Sequence, residues 1–432
     1  MTPGALPGPD DIARRELPNG AVILARENPH APSVVIAGSV HAGSVFDPPE
    51  RLGLAAFVAA SLLRGTTTRD FAAIHELLEG NGASLSISGG LHTAGFSGKS
   101  LAEDLALLLD LASDSLRRPA FDLAQVERLR GEMITGQKIR EQDTRYLAGR
   151  TFRALAYPPD HPYSRPSSGT LDTLAAIDRD DLRDFHRQHY DPRGLIVVIV
   201  GAVEPDAALD AAERAFGDWA NGTASRSIAV PDAPPLVEAA SETVRVPGTS
   251  QADLVLGVPG PARSAEDWHA ANLANNVLGV FGMYGRIGAE VREKRGLAYY
   301  SYSHLDGGLG PGAWRVVAGV DPANVEQAVG AIRAEIRRLL DHGVTGDELA
   351  DSKANFIGRL PLQLERNEGV AGAILSMERY ALGLDYLERY ARTIEAVSAE
   401  AVVAAARRYL DADRTALAIA GPPLALGEGG RA

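Results

Sequence analysis

Few side chains in this sequence are placed to do chemistry. The chain has 432 residues and ten histidines, and the histidines are scattered. Only His186 and His189 come close together, at i and i+3 near a helix end beside Tyr190, where they read as structural. No three-ligand metal site with a converging acid is visible. Cysteine is absent, which excludes disulfides and thiolate metal sites. The run Leu278 to Arg286 is Gly-rich but lacks Gly-x-x-x-x-Gly-Lys, so nucleotide phosphate binding is not expected. One string remains, Val291-Arg-Glu-Lys-Arg-Gly-Leu-Ala-Tyr299, with a guanidinium and a phenol seven residues apart. On propensity it is the end of a charged helix, a stop at Gly296 and the start of a strand. Read locally, Arg292 is a solvated helix residue and Tyr299 packs at a strand start.

The elements that position these groups occur twice. Leu101, Leu105, Leu108, Ala112 and Leu116 recur at helical spacing, as do Val325, Val329, Ile332, Ile336 and Leu339, so each segment predicts an amphipathic helix. A shift of 220 lays Leu105 on Val325 and Arg117-Arg118 on Arg337-Arg338. The same shift carries the strand-like run Leu195 to Gly201 onto Ala416 to Gly421, and the strand with Val34 and Ile36 onto that with Leu254 and Leu256. One shift that serves three separated places predicts two homologous halves. The linker between them is expected over 221–237, stiffened by Pro231-Asp-Ala-Pro-Pro235, giving domains 1–222 and 223–432. The order of strands and helices in each half predicts an α+β fold, with helices packed on one face of a largely antiparallel sheet.

Composition narrows the partners. The chain is 45% apolar, 23% charged and carries a formal net charge of −13. An acidic surface argues against nucleic acid, which needs clustered Lys and Arg. No run of about 18 apolar residues is present, so no membrane-spanning helix is expected, and Met1 to Pro9 has no apolar core of a secretory signal. These readings predict a soluble, cytoplasmic protein.

The stretch Gly53-Leu-Ala-Ala-Phe-Val-Ala-Ala-Ser-Leu-Leu-Arg-Gly-Thr66 is, by itself, a buried Ala-rich helix ending near Gly65. It resembles the zinc helix of the pitrilysin and mitochondrial processing peptidase family, whose pattern is Gly-Leu-Ala-His-x-x-Glu-His followed by Arg-Gly-Thr. The flanks match, but the family's two histidines fall on Ala56 and Ala60 and its catalytic glutamate on Ala59. Two His at i and i+4 can share a zinc ion and a Glu can take a proton from bound water, whereas methyl groups can do neither. The family's third ligand, a glutamate on a later helix, falls on Gly136 within the predicted helix Gln125 to Glu141.

Arg292 and Tyr299 match the family's second signature, Arg-Glu-x-x-Gly-Leu-x-Tyr, and the resemblance extends from about Leu17 to Gly421. It implies that Tyr299 donates to the oxyanion formed on a peptide carbonyl and that Arg292 clamps neighbouring substrate carbonyls. The strand Gly82 to Gly90 resembles the family's edge strand, which would give Ser84, Leu85, Ser86 and Ile87 a main-chain role in peptide binding. With the metal ligands erased and this pair kept, the resemblance implies a zinc-free subunit with no cofactor of its own. Its partner would be a homologous zinc-bearing chain in a heterodimer acting on unfolded peptides. A purely structural subunit and a non-cleaving peptide-binding protein remain alternatives.

Overall fold

A computed structural model describes residues 6–220, 222 and 227–423, without the side chains of Met283 and Tyr284. The chain forms two compact units, each assembled from three segments: Met1–Gln137, Pro166–Ala229 and Arg359–Ala391 in the first, and Lys138–Arg165, Val230–Gly358 and Arg392–Ala432 in the second. Residues 221 and 223–226 of the expected linker lie outside the described set, and 227–237 form neither helix nor strand.

The first unit holds β1 (Ala13–Glu16), β2 (Val22–Glu27), β3 (Ser33–Val40), β4 (Ser84–Gly89), β5 (Ala94–Leu101) and β6 (Ile196–Gly201). They form one sheet in the order β1-β2-β6-β3-β5-β4. Only the β2–β6 pair is parallel; the other pairs are antiparallel. The second unit holds β7 (Ala240–Arg245), β8 (Ala252–Pro259), β9 (Ala298–Leu305), β10 (Ala313–Val320) and β11 (Ala416–Gly421), ordered β7-β11-β8-β10-β9. Again a single pair, β7–β11, is parallel. The run β2-β6-β3-β5-β4 and the second sheet thus share order and sense, which is the repeat expected from the sequence.

Each sheet buries one face under a layer of helices. In the first unit Ile23, Ile36 and Val197 from the sheet pack with Phe57, Leu108, Leu109 and Phe216 from helices. In the second, Leu254, Leu256 and Trp314 pack with Leu273, Ile332 and Ile336. The first predicted repeat helix begins four residues later than its apolar spacing suggested, at Leu105, because Leu101 closes β5 and is exposed.

The opposite face of each sheet is covered too, by one helix supplied from the other half of the sequence. All eight residues of β8 and all six of β11 are buried, a pattern that requires cover on both faces. The cover for β8 and β11 is the helix Thr144–Ala156, whose N-terminus is capped by Asp143 accepting from Arg145 N and Tyr146 N. The helix Asn367–Arg379 lies reciprocally on the first sheet, where Val370, Ala371, Ile374 and Met377 meet Leu24, Val35, Val198 and Val200. Each large side chain buried there contributes about 1.5–3 kcal/mol before ordering entropy.

Candidate functional site

The helix expected at the erased metal motif runs Leu54–Ser61 and continues as a 3-10 turn, Leu62–Arg64, to Gly65. Its start is fixed by Gly53 at φ +91 and by buried Asp47, whose carboxylate accepts from Gly53 N and Ala55 N, each at 2.8 Å. The retained flanks hold this scaffold together. Thr66 and Thr68 each donate to Asp114 at 2.6 Å, and Arg69 and Arg118 pair with the same carboxylate at 2.9 Å. Burial pushes the Asp114 carboxyl up, but these partners outweigh it and hold it below its ordinary value. Arg64 pairs with Glu132 on the helix Leu123–Arg140, and Arg130 of that helix lies over the Phe57 ring, 5.5 Å from its centroid.

The two helices that would carry zinc ligands are therefore side by side, but their side chains do not fit a metal. Ala56 and Ala60 are half-buried, Ala59 is buried, and Gly136 faces open space, with nothing within 4 Å of where a Cβ would stand. None of the four has a donor atom. Among the described residues no three His, Asp or Glu side chains cluster to hold an ion.

Ser84, Leu85, Ser86 and Ile87 lie on β4, at the edge of the first sheet. Leu85 and Ile87 lean on the core, while Ser84 and Ser86 are exposed. The end of β4 abuts the degenerate motif: a Cβ on Gly89 would stand 2.8 Å from Ala56 Cα. Only glycine permits that approach. The second unit repeats the device in reverse, with Gly279 at a helix end, where a Cβ would meet Ser303 N of edge strand β9 at 2.3 Å.

Arg292 and Tyr299 sit on either side of a helix-to-strand turn. Arg292 lies in Gly288–Lys294, a stretch wound as a π-helix, which local propensity did not reveal; such stretches concentrate at functional sites. Gly296 at φ +62 ends it. Gly296 N donates to Arg292 O at 3.1 Å and Leu297 N to Val291 O at 2.9 Å, with Val291 and Leu297 both buried in the core. Glu290 takes up the neighbouring cations, Lys294 at 3.1 Å and Arg295 at 2.9 Å. Arg292 itself makes no ion pair or side-chain hydrogen bond among the described residues, and Tyr299 is 66% exposed. Tyr299 is held out rather than packed, unlike its local reading, and Arg292 is half-buried without an ionic partner among the described residues.

Behind Tyr299 lies a network that spacing did not signal. Tyr300, on the other face of β9, donates to buried Asp253 of β8, as does Thr144. Arg145 donates to the Tyr300 hydroxyl at 3.0 Å and stacks over its ring at 4.2 Å. Burial first, then the hydrogen bond to Asp253, pushes the Tyr300 phenol up. This clamps β9 to the covering helix and sets the strand from which Tyr299 projects. His186 and His189 are half-buried and pack against the core of the first unit. His186 hydrogen-bonds Leu116 O at 2.8 Å and stacks on Tyr190, and burial lowers it to about 4. His189 stacks on Phe46.

Residues 22–157 match the family described as insulinase, peptidase family M16, and residues 176–356 match the M16 inactive domain. An uncharacterised zinc protease of Streptomyces coelicolor is 30% identical over 362 residues, 82% of this chain and 77% of that protein. One of Mycobacterium leprae is 27% identical over 422 residues, 95% and 92% of the two chains. The crystal structure of a peptidase M16 inactive domain from Pseudomonas fluorescens superposes with a TM-score of 0.90 at 26% identity, covering 96% of this chain and 99% of that one. A Helicobacter pylori protease shares the fold, with a TM-score of 0.86 at 20% identity, covering 95% of this chain and 99% of that one. With such identity sustained along most of its length, and with alanines and a glycine where the metal-binding side chains would stand, the chain belongs to peptidase family M16, the pitrilysin and processing-peptidase family, as a non-catalytic member.

Proposed function

We propose that this chain is the zinc-free subunit of a heterodimeric zinc endopeptidase, and that it lends Arg292 and Tyr299 to the active centre of a homologous, zinc-bearing partner. The observation that carries this reading is the state of the pair. Glu290 occupies Lys294 and Arg295, and among the described residues no side chain or carbonyl takes up the Arg292 guanidinium. Tyr299 projects a phenol into solvent from a strand otherwise well buried on that face. A scaffold alone gives no reason to keep a large aromatic exposed beside an unpaired arginine.

In this role the Tyr299 hydroxyl donates to the oxyanion that forms when water adds to the scissile carbonyl, and the planar Arg292 guanidinium holds adjacent main-chain carbonyls. The metal, carried by the partner, supplies the activated water. Edge strand β4, with Ser84 to Ile87, offers main-chain groups to an extended peptide by strand addition. Its neighbours Ala56, Ala59, Ala60 and Gly136 leave any peptide bound there uncut. The cysteine-free, acidic composition is in keeping with a cytoplasmic complex of this kind.

The test is reconstitution with a homologue bearing His-x-x-Glu-His and measurement of peptide turnover. The mixture should be active where neither chain is alone, and Arg292→Ala and Tyr299→Phe should each lower turnover of the mixture. Unchanged turnover in both variants would leave the chain a scaffold, and zinc-dependent cleavage by this chain alone would overturn the reading altogether.

A further inference from the structure

The ladder between β9 and β10 slips at one residue, and that residue is Tyr299. Val320 pairs with Ala298 and Gly319 with Tyr300, so Tyr299 has no partner across the ladder. It is the extra residue of a β-bulge near the start of an edge strand, a feature that re-aims side chains. Burial marks the same break. Ser301, Ser303 and Leu305 continue the alternation that Tyr299 begins, and they are 0%, 1% and 7% exposed against 66% for Tyr299. The bulge lifts one phenol out of a row that is otherwise buried.

The next residue fixes the register. Gly319 pairs with Tyr300 on one side and with Asp253 on the other, so the three stand in one row across β9, β10 and β8. Two strand spacings, about 9–10 Å, separate the outer members of the row. The Tyr300 side chain crosses that distance and donates to the buried Asp253 carboxylate. The crossing requires glycine in the middle strand, because a Cβ on Gly319 would stand 2.9 Å from Tyr300 Cζ and closer still to Cε1. The Arg145 guanidinium stacks over the ring at 4.2 Å. Asp253 also accepts from Thr144, and from Gln251 Nε2 at 3.2 Å. A slip of β9 by one residue would break this row. In one direction Ser301 would face Gly319, too short to reach Asp253; in the other, Tyr299 itself would be spent on the anchor.

We propose that Tyr300, Gly319 and Asp253 are positioning residues for the Tyr299 phenol: Tyr300, laid across Gly319 to Asp253, locks the register of β9 and so keeps its neighbour in the bulge, held out of the sheet. None of the three touches substrate. The inference rests on the oxyanion role given to Tyr299 above and deepens it. Of two adjacent tyrosines, one is committed to the fold so that the other is left for chemistry.

The test uses the full chain with isotopically labelled tyrosine and reads the Tyr299 amide by NMR without any partner; the same variants are then assayed for turnover in the reconstituted mixture. Tyr300→Phe keeps the ring over Gly319 and loses the bond to Asp253. The Tyr299 amide signal should broaden or split as the bulge samples other registers. In the mixture kcat should fall about ten- to a hundredfold, as for a misplaced catalytic group, with KM little changed. Asp253→Ala and Gly319→Ala should act in the same direction, and Asp253→Asn, which keeps an acceptor for the phenol, should recover most of the signal and of kcat relative to Asp253→Ala. Should either alanine variant fail to fold, Tyr300→Phe and Asp253→Asn decide the matter. A residue that only stabilises the sheet would lower the melting temperature and leave the Tyr299 signal and kcat as in the parent. A single sharp Tyr299 signal in Tyr300→Phe, or unchanged kcat, would therefore overturn the assignment. Tyr299→Phe, run alongside, tells the two failures apart. Unchanged turnover in that variant sinks the peptidase reading, whereas the amide signal needs no partner and still reports on the anchor.

Discussion

A lysine in place of Arg292 would keep the charge and lose the planar fork, and that distinction separates clamping from simple charge attraction. In the reconstituted complex, Arg292→Ala is expected to cost about ten- to a hundredfold in kcat/KM, the loss of a charged hydrogen bond, with Arg292→Lys falling between it and the parent. Tyr299→Phe removes one oxyanion donor, so about 10²–10³ in kcat is expected with little change in KM. Neither should alter the melting temperature of this chain, because both side chains lie outside the core. At this scale the sequence was most informative. Alanines at 56, 59 and 60 have, by their own chemistry, no group that can hold zinc or take a proton. That Arg292 stands unpaired could not be read from it, because four charged residues follow one another from Arg292 to Arg295 and spacing does not decide which of them Glu290 captures.

Elements explain why the motif's flanks outlive its ligands. Thr66 binds Asp114 of Leu105–Arg117 and Arg64 pairs with Glu132 of Leu123–Arg140, which tie both helices to the end of Leu54–Ser61. Gly89 holds β4 against Leu54–Ser61, and Gly89→Ala would press a methyl into Ala56 Cα. A loss of about 1–3 kcal/mol, the usual range for overpacking, is expected in chemical denaturation. In the second unit, burial pushes the Glu348 and Asp306 carboxyls up, but Arg286 with Thr345, and His304 with Arg315 and Arg153, outweigh it and hold each at about 2. Their ordinary values are 4.5 and 3.8. Depressed carboxylates stabilise fully above those ordinary values and lose that contribution as pH falls towards the folded one. The melting temperature should therefore be flat down to about pH 4.5 and fall steeply towards pH 2. Glu348→Gln should lower it at neutral pH and flatten the acid fall; a parallel downward shift at every pH would refute the assignment. The two repeat helices were legible through their apolar stripes, and the repeated strands through the one shift that superposes them. The π-wound stretch was not, since its hydrogen-bond pattern leaves no mark on composition.

For the whole molecule, the division at the Pro-rich linker separates the two repeats, but the compact units do not follow it. Thr144–Ala156 and Asn367–Arg379 have crossed over, each serving the sheet of the opposite half. Sequence could not show whose sheet either helix would meet, because apolar spacing along a helix does not name the surface on which it packs. A fragment of residues 1–222 would leave Leu24, Val35, Val198 and Val200 uncovered. Expressed alone it should be insoluble or self-associated, and co-expression with 223–432 should restore a soluble, cooperatively melting protein. A monomeric, well-folded 1–222 fragment, seen by sedimentation and NMR dispersion, would contradict the exchange.

The crossed helices also bear on how the chain is made. The last strand of the first sheet leaves the ribosome some 170 residues before Ile374 does, a delay of roughly 10–40 s at 5–20 residues per second. During that interval Leu24, Val35, Val198 and Val200 lack the helix that covers them, so the nascent first half presents an open apolar face until that helix is made.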